Sequence, residues 1–236
     1  AGQQRRRGGS GATGGRAKRG ALAPHVPDTW NDKKQFQLES LLMAEGFWAA
    51  VAAASALPTG YARSGRLQPL ADARAVEVAR AREITSRDLW GDAAQWRVIP
   101  ATGAAWEPAS PTGLLIHDTL SARLHPRLAA AALVAAIRAL GGEVIEGEAE
   151  ERGPVVWATG VAGLQALSEQ FGRPVGSGVK GQALSLRFDA REAPQLLVNG
   201  LLVVPHADGS VAIGSTSETS WQAPDATDEQ LDDLHR

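Results

Sequence analysis

The chain has 236 residues, a formal net charge of −2, 44% hydrophobic and 21% charged residues, and no cysteine. This composition is typical of a globular protein with one large or two small domains, and the near-neutral charge gives no electrostatic reason to expect nucleic-acid binding. The absence of cysteine excludes disulfides, thiolate metal sites and cysteine nucleophiles, and it fits the cytoplasmic location that we expect. No segment of the sequence is long and apolar enough to span a membrane, so we expect no membrane partner.

The first half of the chain is predicted to contain two helices separated by short strands. Residues 1–20 are rich in glycine and arginine without apolar periodicity, which is typical of a flexible tail. Helical spacing of apolar residues over 34–57 predicts one long amphipathic helix. A short strand is expected within 61–70, a second helix over 72–85, and further short strands in the turn-rich segment 96–116.

The second half is predicted to be richer in strands. Its clearest helix spans 126–140, because Pro126 suits a first helical turn and two glycines follow Leu140. Asp208-Gly209 is a strong signal for a hairpin turn. The other predicted elements are strands at 143–145, 181–188, 195–204 and 210–215, and helices at 164–171 and from 225 onward.

The most informative stretch is the apolar run 155–157 that ends in Ala158, Thr159 and Gly160 and enters a helical segment. Small side chains let backbone N–H groups approach a bound anion, so we interpret the stretch as a buried strand that ends at a ligand. A buried strand with a tight exit turn and no ligand explains the same pattern. The order of elements predicts a mixed α/β fold, with a nucleotide-binding layer interleaved with a mainly antiparallel sheet.

Four blocks of sequence, in chain order, resemble FAD-dependent oxidoreductases of the D-amino-acid oxidase and glycine oxidase superfamily. They lie at 9–15 with 20–24, at 64–70, at 124–126 with 141–144 and 155–160, and at 179–182 with 202–216. The Gly-Ala-Leu-Ala-Pro start at 20–24 and the Leu-His-Pro start of the 126–140 helix are also similar to the flavin module of the bifunctional enzyme that modifies the tRNA wobble uridine.

The resemblance implies an α/β fold made of a partial, Rossmann-like FAD-binding layer and a substrate domain with a mainly antiparallel sheet. Residues 1–20 then form a flexible flavin loop. The FAD-binding domain takes 21–60 and 124–175, and the substrate domain takes 61–123 and 176–236.

The resemblance also implies FAD as the cofactor and a set of contact residues. Those on the cofactor side are Ser10, Gly11, Ala12, Thr13, Gly14, Gly15, Ala158, Thr159 and Gly160. On the substrate side the candidates are Lys180, Gln182 and His206, for which an exposed strand lysine, a solvent-facing glutamine and a hairpin-edge residue are the alternatives. We nominate no catalytic side chain, because the flavin carries the chemistry. No metal is expected, because His25 and His117 lack partners at metal-ligand spacing.

The chain departs from the family pattern at its two ends. Relatives begin with a strand and a G-x-G-x-x-G turn, which is absent here, and a C-terminal segment is also missing, so we expect a chain truncated at both ends. Three hypotheses follow. The first is FAD-dependent oxidation of a C–N bond in a small amino acid or secondary amine. The second is the same chemistry on carboxymethylaminomethyl-uridine in tRNA, and the third is a truncated, non-catalytic fragment.

Overall fold

A computed structural model describes residues 20–150 and 152–235. Its five α-helices are α1 (Asp32–Ser55), α2 (Ala73–Trp90), α3 (Pro126–Ala139), α4 (Gly160–Phe171) and α5 (Glu229–His235). Its nine strands are β1 (Ala21–Leu22), β2 (Arg66–Pro69), β3 (Trp96–Pro100), β4 (Leu114–Asp118), β5 (Ala122–Arg123), β6 (Ala183–Arg187), β7 (Gln195–Val198), β8 (Leu201–Pro205) and β9 (Ser210–Gly214). This mixture confirms the predicted α/β class.

Seven of the strands form one mixed sheet in the order β3-β4-β2-β7-β8-β9-β6. The pairing of β2 with β7 is parallel, and the other neighbours in this sheet are antiparallel. The two short strands β1 and β5 form a separate antiparallel ribbon, in which Ala21 lies opposite Arg123. A mainly antiparallel sheet therefore joins the two halves of the chain.

Side-chain caps explain where the first three helices begin. The Asn31 side chain accepts a hydrogen bond from the Lys34 N–H at the start of α1, and the Asp72 side chain caps α2 in the same way. At α3 the cap is His125, followed by Pro126 in the first turn. Such caps satisfy N–H groups that have no partner inside the helix.

The main core lies between α1, α2 and one end of the sheet. The Trp90 and Trp96 rings meet edge to face at 6.1 Å, and the Trp96 indole N–H donates to the Ala79 carbonyl oxygen at 3.2 Å. A second, smaller cluster joins α1 to α3 through Val51, with buried alanines on the α3 side. The 24 residues of α1 thus reach both cores, and burial of this apolar surface is the dominant stabilising contribution.

The strands predicted at 155–157 and 143–145 are absent, so both predictions are wrong. Val156 and Trp157 are 90% and 71% exposed, and Ile145 is 59% exposed. A strand needs a neighbour for its N–H and C=O groups, and no described strand lies beside either segment. The apolar character of these residues therefore does not produce a buried strand.

Other boundaries also differ from the predictions. The strand predicted at 195–204 is a hairpin of β7 and β8, whose turn residues Asn199 and Gly200 have φ values of +49° and +81°. Asn-Gly favours such turns because both positions need positive φ. The last helix begins at Glu229 rather than at 225. Among the described residues, no helix has the length and apolarity that crossing a bilayer requires.

Candidate functional site

The predicted cofactor residues 10–15 lie outside the described residues, whereas Ala158, Thr159 and Gly160 are exposed at the beginning of α4. Thr159 occupies the N-cap position and makes no side-chain capping hydrogen bond. Gly160 has a φ of +62°, and the space around its Cβ position is open. The positive end of this 12-residue helix therefore begins at an exposed turn of the chain.

Two further features of this helix start favour a phosphate-bearing ligand. A Cβ on Gly163 would lie 1.7 Å from the Thr159 hydroxyl oxygen, so a glycine at 163 is what lets the Thr159 side chain fold over the first turn. The exposed side chains of Val156 and Trp157 supply apolar surface directly before the turn. An exposed helix start, a small-residue turn and adjacent apolar surface are features that a nucleotide-binding helix start would share.

The substrate-side candidates Lys180 and Gln182 come together in a cluster that we call the clamp (Lys180, Gln182, Glu218 and Asp228). Lys180 Nζ lies 3.3 Å from Glu218 Oε2 and 2.7 Å from Asp228 Oδ2. Gln182 Nε2 donates to Glu218 Oε1 at 2.9 Å and to Asp228 Oδ1 at 2.5 Å. Gln182 Oε1 in turn accepts the Asp228 N–H at 3.0 Å. The clamp thus ties the residues ahead of β6 to the residues ahead of α5.

Hydrogen bonds within the clamp keep its three ionisable groups charged. The pKa of Glu218 is lowered, first by the hydrogen bond from Gln182 and then by the hydroxyl of Thr216. The pKa of Asp228 is lowered by the hydrogen bonds from Lys180 and Gln182, and the pKa of Lys180 is raised mainly by the hydrogen bond with Asp228. One ammonium group therefore faces two carboxylates near neutral pH.

A cleft of about 530 Å³ lies against the clamp. Lys180, Glu218 and Asp228 line it, together with Trp221 and Glu229. Glu218 and Asp228 were not among the residues identified from the sequence. They follow Gln182 by 36 and 46 residues, and no local sequence pattern signals contacts of that range.

The third substrate-side candidate, His206, lies elsewhere and is fully buried. Its ring packs edge-on against His125, with 5.0 Å between ring centroids. His125 Nδ1 accepts the Leu128 N–H at 3.4 Å, and its Nε2 lies 3.3 Å from Asp208 Oδ2. His125 therefore caps α3 with one ring nitrogen and turns the other toward Asp208. His206 therefore belongs to a junction between α3 and the β8–β9 turn.

A second buried ion pair lies inside the sheet. Arg66 Nε is 3.0 Å from Asp118 Oδ2, and these two residues are opposite each other on β2 and β4. The Ser121 N–H and hydroxyl both donate to the Asp118 carboxylate, at 2.7 and 3.0 Å. Because its oxygens are already engaged in the fold, this carboxylate holds strands together and is not open to a ligand.

Comparison with known proteins gives one family match. A family model described as DAO, FAD dependent oxidoreductase, matches residues 3–236. No curated protein matches the chain in sequence.

Solved structures that are similar to the chain include three enzymes from different organisms. The glycine oxidase from Geobacillus kaustophilus has 19% identity and a TM-score of 0.64, covering 88% of this chain and 63% of its own. The iminodiacetate oxidase from Chelativorans sp. BNC1 has 19% identity and a TM-score of 0.71, covering 98% and 69% respectively. The L-proline dehydrogenase from P. horikoshii has 13% identity and a TM-score of 0.62, covering 96% and 65%. These likenesses show a shared fold, and the chain spans between 63% and 69% of the length of these structures.

Proposed function

The chain belongs to the DAO family of FAD-dependent oxidoreductases, and on this premise we propose that it acts in the oxidation of a C–N bond of an amino acid or secondary amine. The observation that carries the proposal is the family match, which extends over residues 3–236 and thus over all the described elements. The three similar enzymes support the substrate class, because glycine is a primary amine and iminodiacetate and proline are secondary amines.

For the cofactor side, we assign Ala158, Thr159 and Gly160 to a phosphate of FAD, with the small residues at 10–15 as the second group. Backbone N–H groups at the exposed start of α4 would hold the phosphate, and the exposed apolar residues at 156 and 157 would exclude water beside it. When bound, FAD supplies the hydride acceptor for the oxidation.

For the substrate side, we propose indirect roles for the three candidates. The described side-chain contacts of Lys180 and Gln182 are with Glu218 and Asp228. Lys180 and Gln182 therefore position the carboxylates of Glu218 and Asp228 at the edge of the cleft. His206 is fully buried against His125, so it supports the turn that precedes β9 and does not contact a substrate directly.

The decisive experiment uses the complete protein in which this chain occurs. It is purified, loaded with FAD and mixed without oxygen with glycine, sarcosine, proline and iminodiacetate, while the visible flavin absorbance is recorded. We expect at least one amine to bleach the flavin, and the matched hydroxy acids, which have no C–N bond, to leave it oxidised.

The other outcomes separate the alternative hypotheses. Failure to take up FAD would reject the proposal and favour a non-catalytic fragment. Bleaching by tRNA that carries carboxymethylaminomethyl-uridine, without bleaching by any small amine, would replace the small substrate by the tRNA.

A further inference from the structure

The chain contains two asparagines, and their side chains are held very differently. Asn31 precedes α1, and its Oδ1 accepts the Lys34 N–H at 3.1 Å. Asn199 lies in the turn between β7 and β8 and is exposed, and its side chain makes no hydrogen bond with any described residue. A helix cap therefore restrains the amide of Asn31, whereas the amide of Asn199 can rotate in solvent.

The residue after Asn199 leaves a nucleophile uncovered. A backbone nitrogen and the Cγ of the preceding asparagine can close a five-membered ring, so the Gly200 nitrogen is the nearest nucleophile to the Asn199 amide carbon. Gly200 is exposed, and open space surrounds its Cβ position. Glycine has no side chain to cover its nitrogen and gives the backbone the most freedom to reach the amide. Asn31 is followed instead by Asp32, whose side chain and helical backbone restrict the same approach.

The β7–β8 turn can open without unfolding the sheet. Asn199 and Gly200 have φ values of +49° and +81°, and ring closure requires the Asn199 backbone to rotate out of this left-handed conformation. Exposed ends of hairpins open locally at low free-energy cost. The turn at the other end of β8 is restrained by its own side chain, because Asp208 Oδ1 accepts both the N–H and the hydroxyl of Ser210, at 3.0 and 2.5 Å.

We propose that Asn199 is a site of spontaneous deamidation. The Gly200 nitrogen attacks Asn199 Cγ and loses its proton, a C–N bond forms, and Asn199 Nδ2 leaves as ammonia. Water then opens the resulting succinimide. Cleavage of the new C–N bond gives aspartate, whereas cleavage of the original peptide bond gives isoaspartate, in which the main chain runs through Cγ. Water is the only co-reactant and nothing is oxidised or reduced, so the inference goes beyond the proposed function.

The two products affect the hairpin differently. Aspartate keeps a two-residue Asp-Gly turn, which is a favoured sequence for this turn type. Isoaspartate adds one main-chain atom between Val198 and Leu201, which pair across the turn. Because loop length fixes the register of a hairpin, the longer chain disturbs the pairing of β7 with β8. β7 also pairs with β2, so the disturbance reaches the junction between the two halves of the sheet.

The test is incubation of the purified full chain at mildly alkaline pH, which favours loss of the proton from the attacking nitrogen. Peptide mass mapping records the replacement of the amide by a carboxyl group at each asparagine, and electron-transfer fragmentation distinguishes isoaspartate from aspartate. We expect residue 199 to convert at least about tenfold faster than residue 31. Equal conversion of the two asparagines, or conversion at 199 without isoaspartate, would overturn the proposal.

Two variants connect the reaction to the hairpin. N199D supplies the aspartate product directly and, when freshly purified, should show the hydrogen exchange of the wild type in β7 and β8. N199G forms a Gly-Gly turn of the same type but has no amide to lose, so its exchange should not change on incubation. We expect only the incubated wild type to exchange faster in these strands. An equal loss of protection in incubated N199G would show that residue 199 is not its source and would contradict the proposed effect.

Discussion

The apolar residues of β3 and β4 and those at 155–157 differ in exposure, although both runs read as strands in the sequence. Trp96 and Leu115 are buried in the sheet, whereas Val156 and Trp157 are largely exposed ahead of α4. β4 pairs with a strand on each side and is covered by the core that α1 and α2 complete, while no described strand lies beside 155–157. An apolar run thus becomes a buried strand only where other segments supply both hydrogen-bonding partners and a covering layer.

The difference separates two roles for apolar residues in this protein. In the sheet, such residues contribute to the free energy of folding. Ahead of α4 they are exposed, so they contribute little to folding and are available to the ligand site proposed above. Stability measurements should therefore respond strongly to substitutions in the first region and weakly to substitutions in the second.

The largest expected effect comes from breaking the ion pair inside the sheet. D118N leaves Arg66 buried without its counter-charge, and we expect the free energy of unfolding in urea to fall by about 3–5 kcal/mol. D189N, which breaks an exposed pair with Arg191, is the control and should leave the urea midpoint unchanged. Similar midpoints for the two variants would contradict the structural role of Asp118.

A second pair of variants compares the two regions directly. L115A removes a fully buried side chain and should lower the free energy of unfolding by about 2–5 kcal/mol. V156A removes an exposed side chain, and we expect a change within about 0.5 kcal/mol. Thermal or urea unfolding of both variants measures the contrast. A large loss in V156A would mean that 155–157 is packed in solution.

Helix positions were the most predictable part of the fold from the sequence. The proline at 126 and the glycines after Leu140 bound α3, and the periodic run at 34–57 matches α1, because these signals act within a few residues of the helix itself. Of the two hairpin turns that flank β8, the sequence predicted only one. Asp208-Gly209 was recognised as a hairpin turn, whereas Asn199-Gly200 was hidden inside a continuous apolar run.

The candidate site was less predictable because its features depend on distant parts of the chain. The small residues at 158–160 were found from local sequence, but their exposure depends on which strands lie beside them. Lys180 and Gln182 were selected by resemblance, yet their partners Glu218 and Asp228 come from segments far along the chain. Nothing in the spacing of isolated acidic residues indicates such pairing.

A matched pair of glycine variants tests the proposal that the start of α4 binds the cofactor. Gly160 and Gly172 lie at opposite ends of this helix, with φ values of +62° and +61° and open space at both Cβ positions. Aspartate tolerates this backbone region better than most residues, so both variants carry similar strain. A carboxylate at 160 would repel the bound phosphate, and we expect G160D to weaken FAD binding about tenfold or more.

The two variants also separate binding from stability. An added aspartate is favourable at a helix start and unfavourable at a helix end, so G160D should fold at least as well as G172D. FAD titration followed by fluorescence measures the affinity of each. Equal FAD affinity in the two variants would remove Gly160 from the cofactor site.

The smallest expected effect is the pH dependence of the clamp, in which the Asp228 side chain is 40% exposed and partly screened by solvent, whereas those of Lys180 and Glu218 are buried. The pKa values of Glu218 and Asp228 are lowered in the fold, so their contribution is present above the unfolded pKa and is lost as pH falls through the folded value. The pKa of Lys180 is raised, so its contribution is lost only as pH rises through its folded value. The ion pairs and hydrogen bonds of the clamp should therefore remain formed between about pH 5 and pH 10.

The hydrogen-exchange rate of a single backbone amide can measure the pH range over which the clamp is formed. The Asp228 N–H donates to Gln182 Oε1, so its protection factor should fall below about pH 4 as the carboxylates of the clamp become protonated. The Leu70 N–H, which bonds to the Leu114 carbonyl oxygen in the sheet, should stay protected under the same conditions.

Q182A should remove the Asp228 protection at every pH, while Q222A, at an exposed residue of the same cleft, should not. Retained protection in Q182A would mean that the 228 segment is held by contacts other than the clamp.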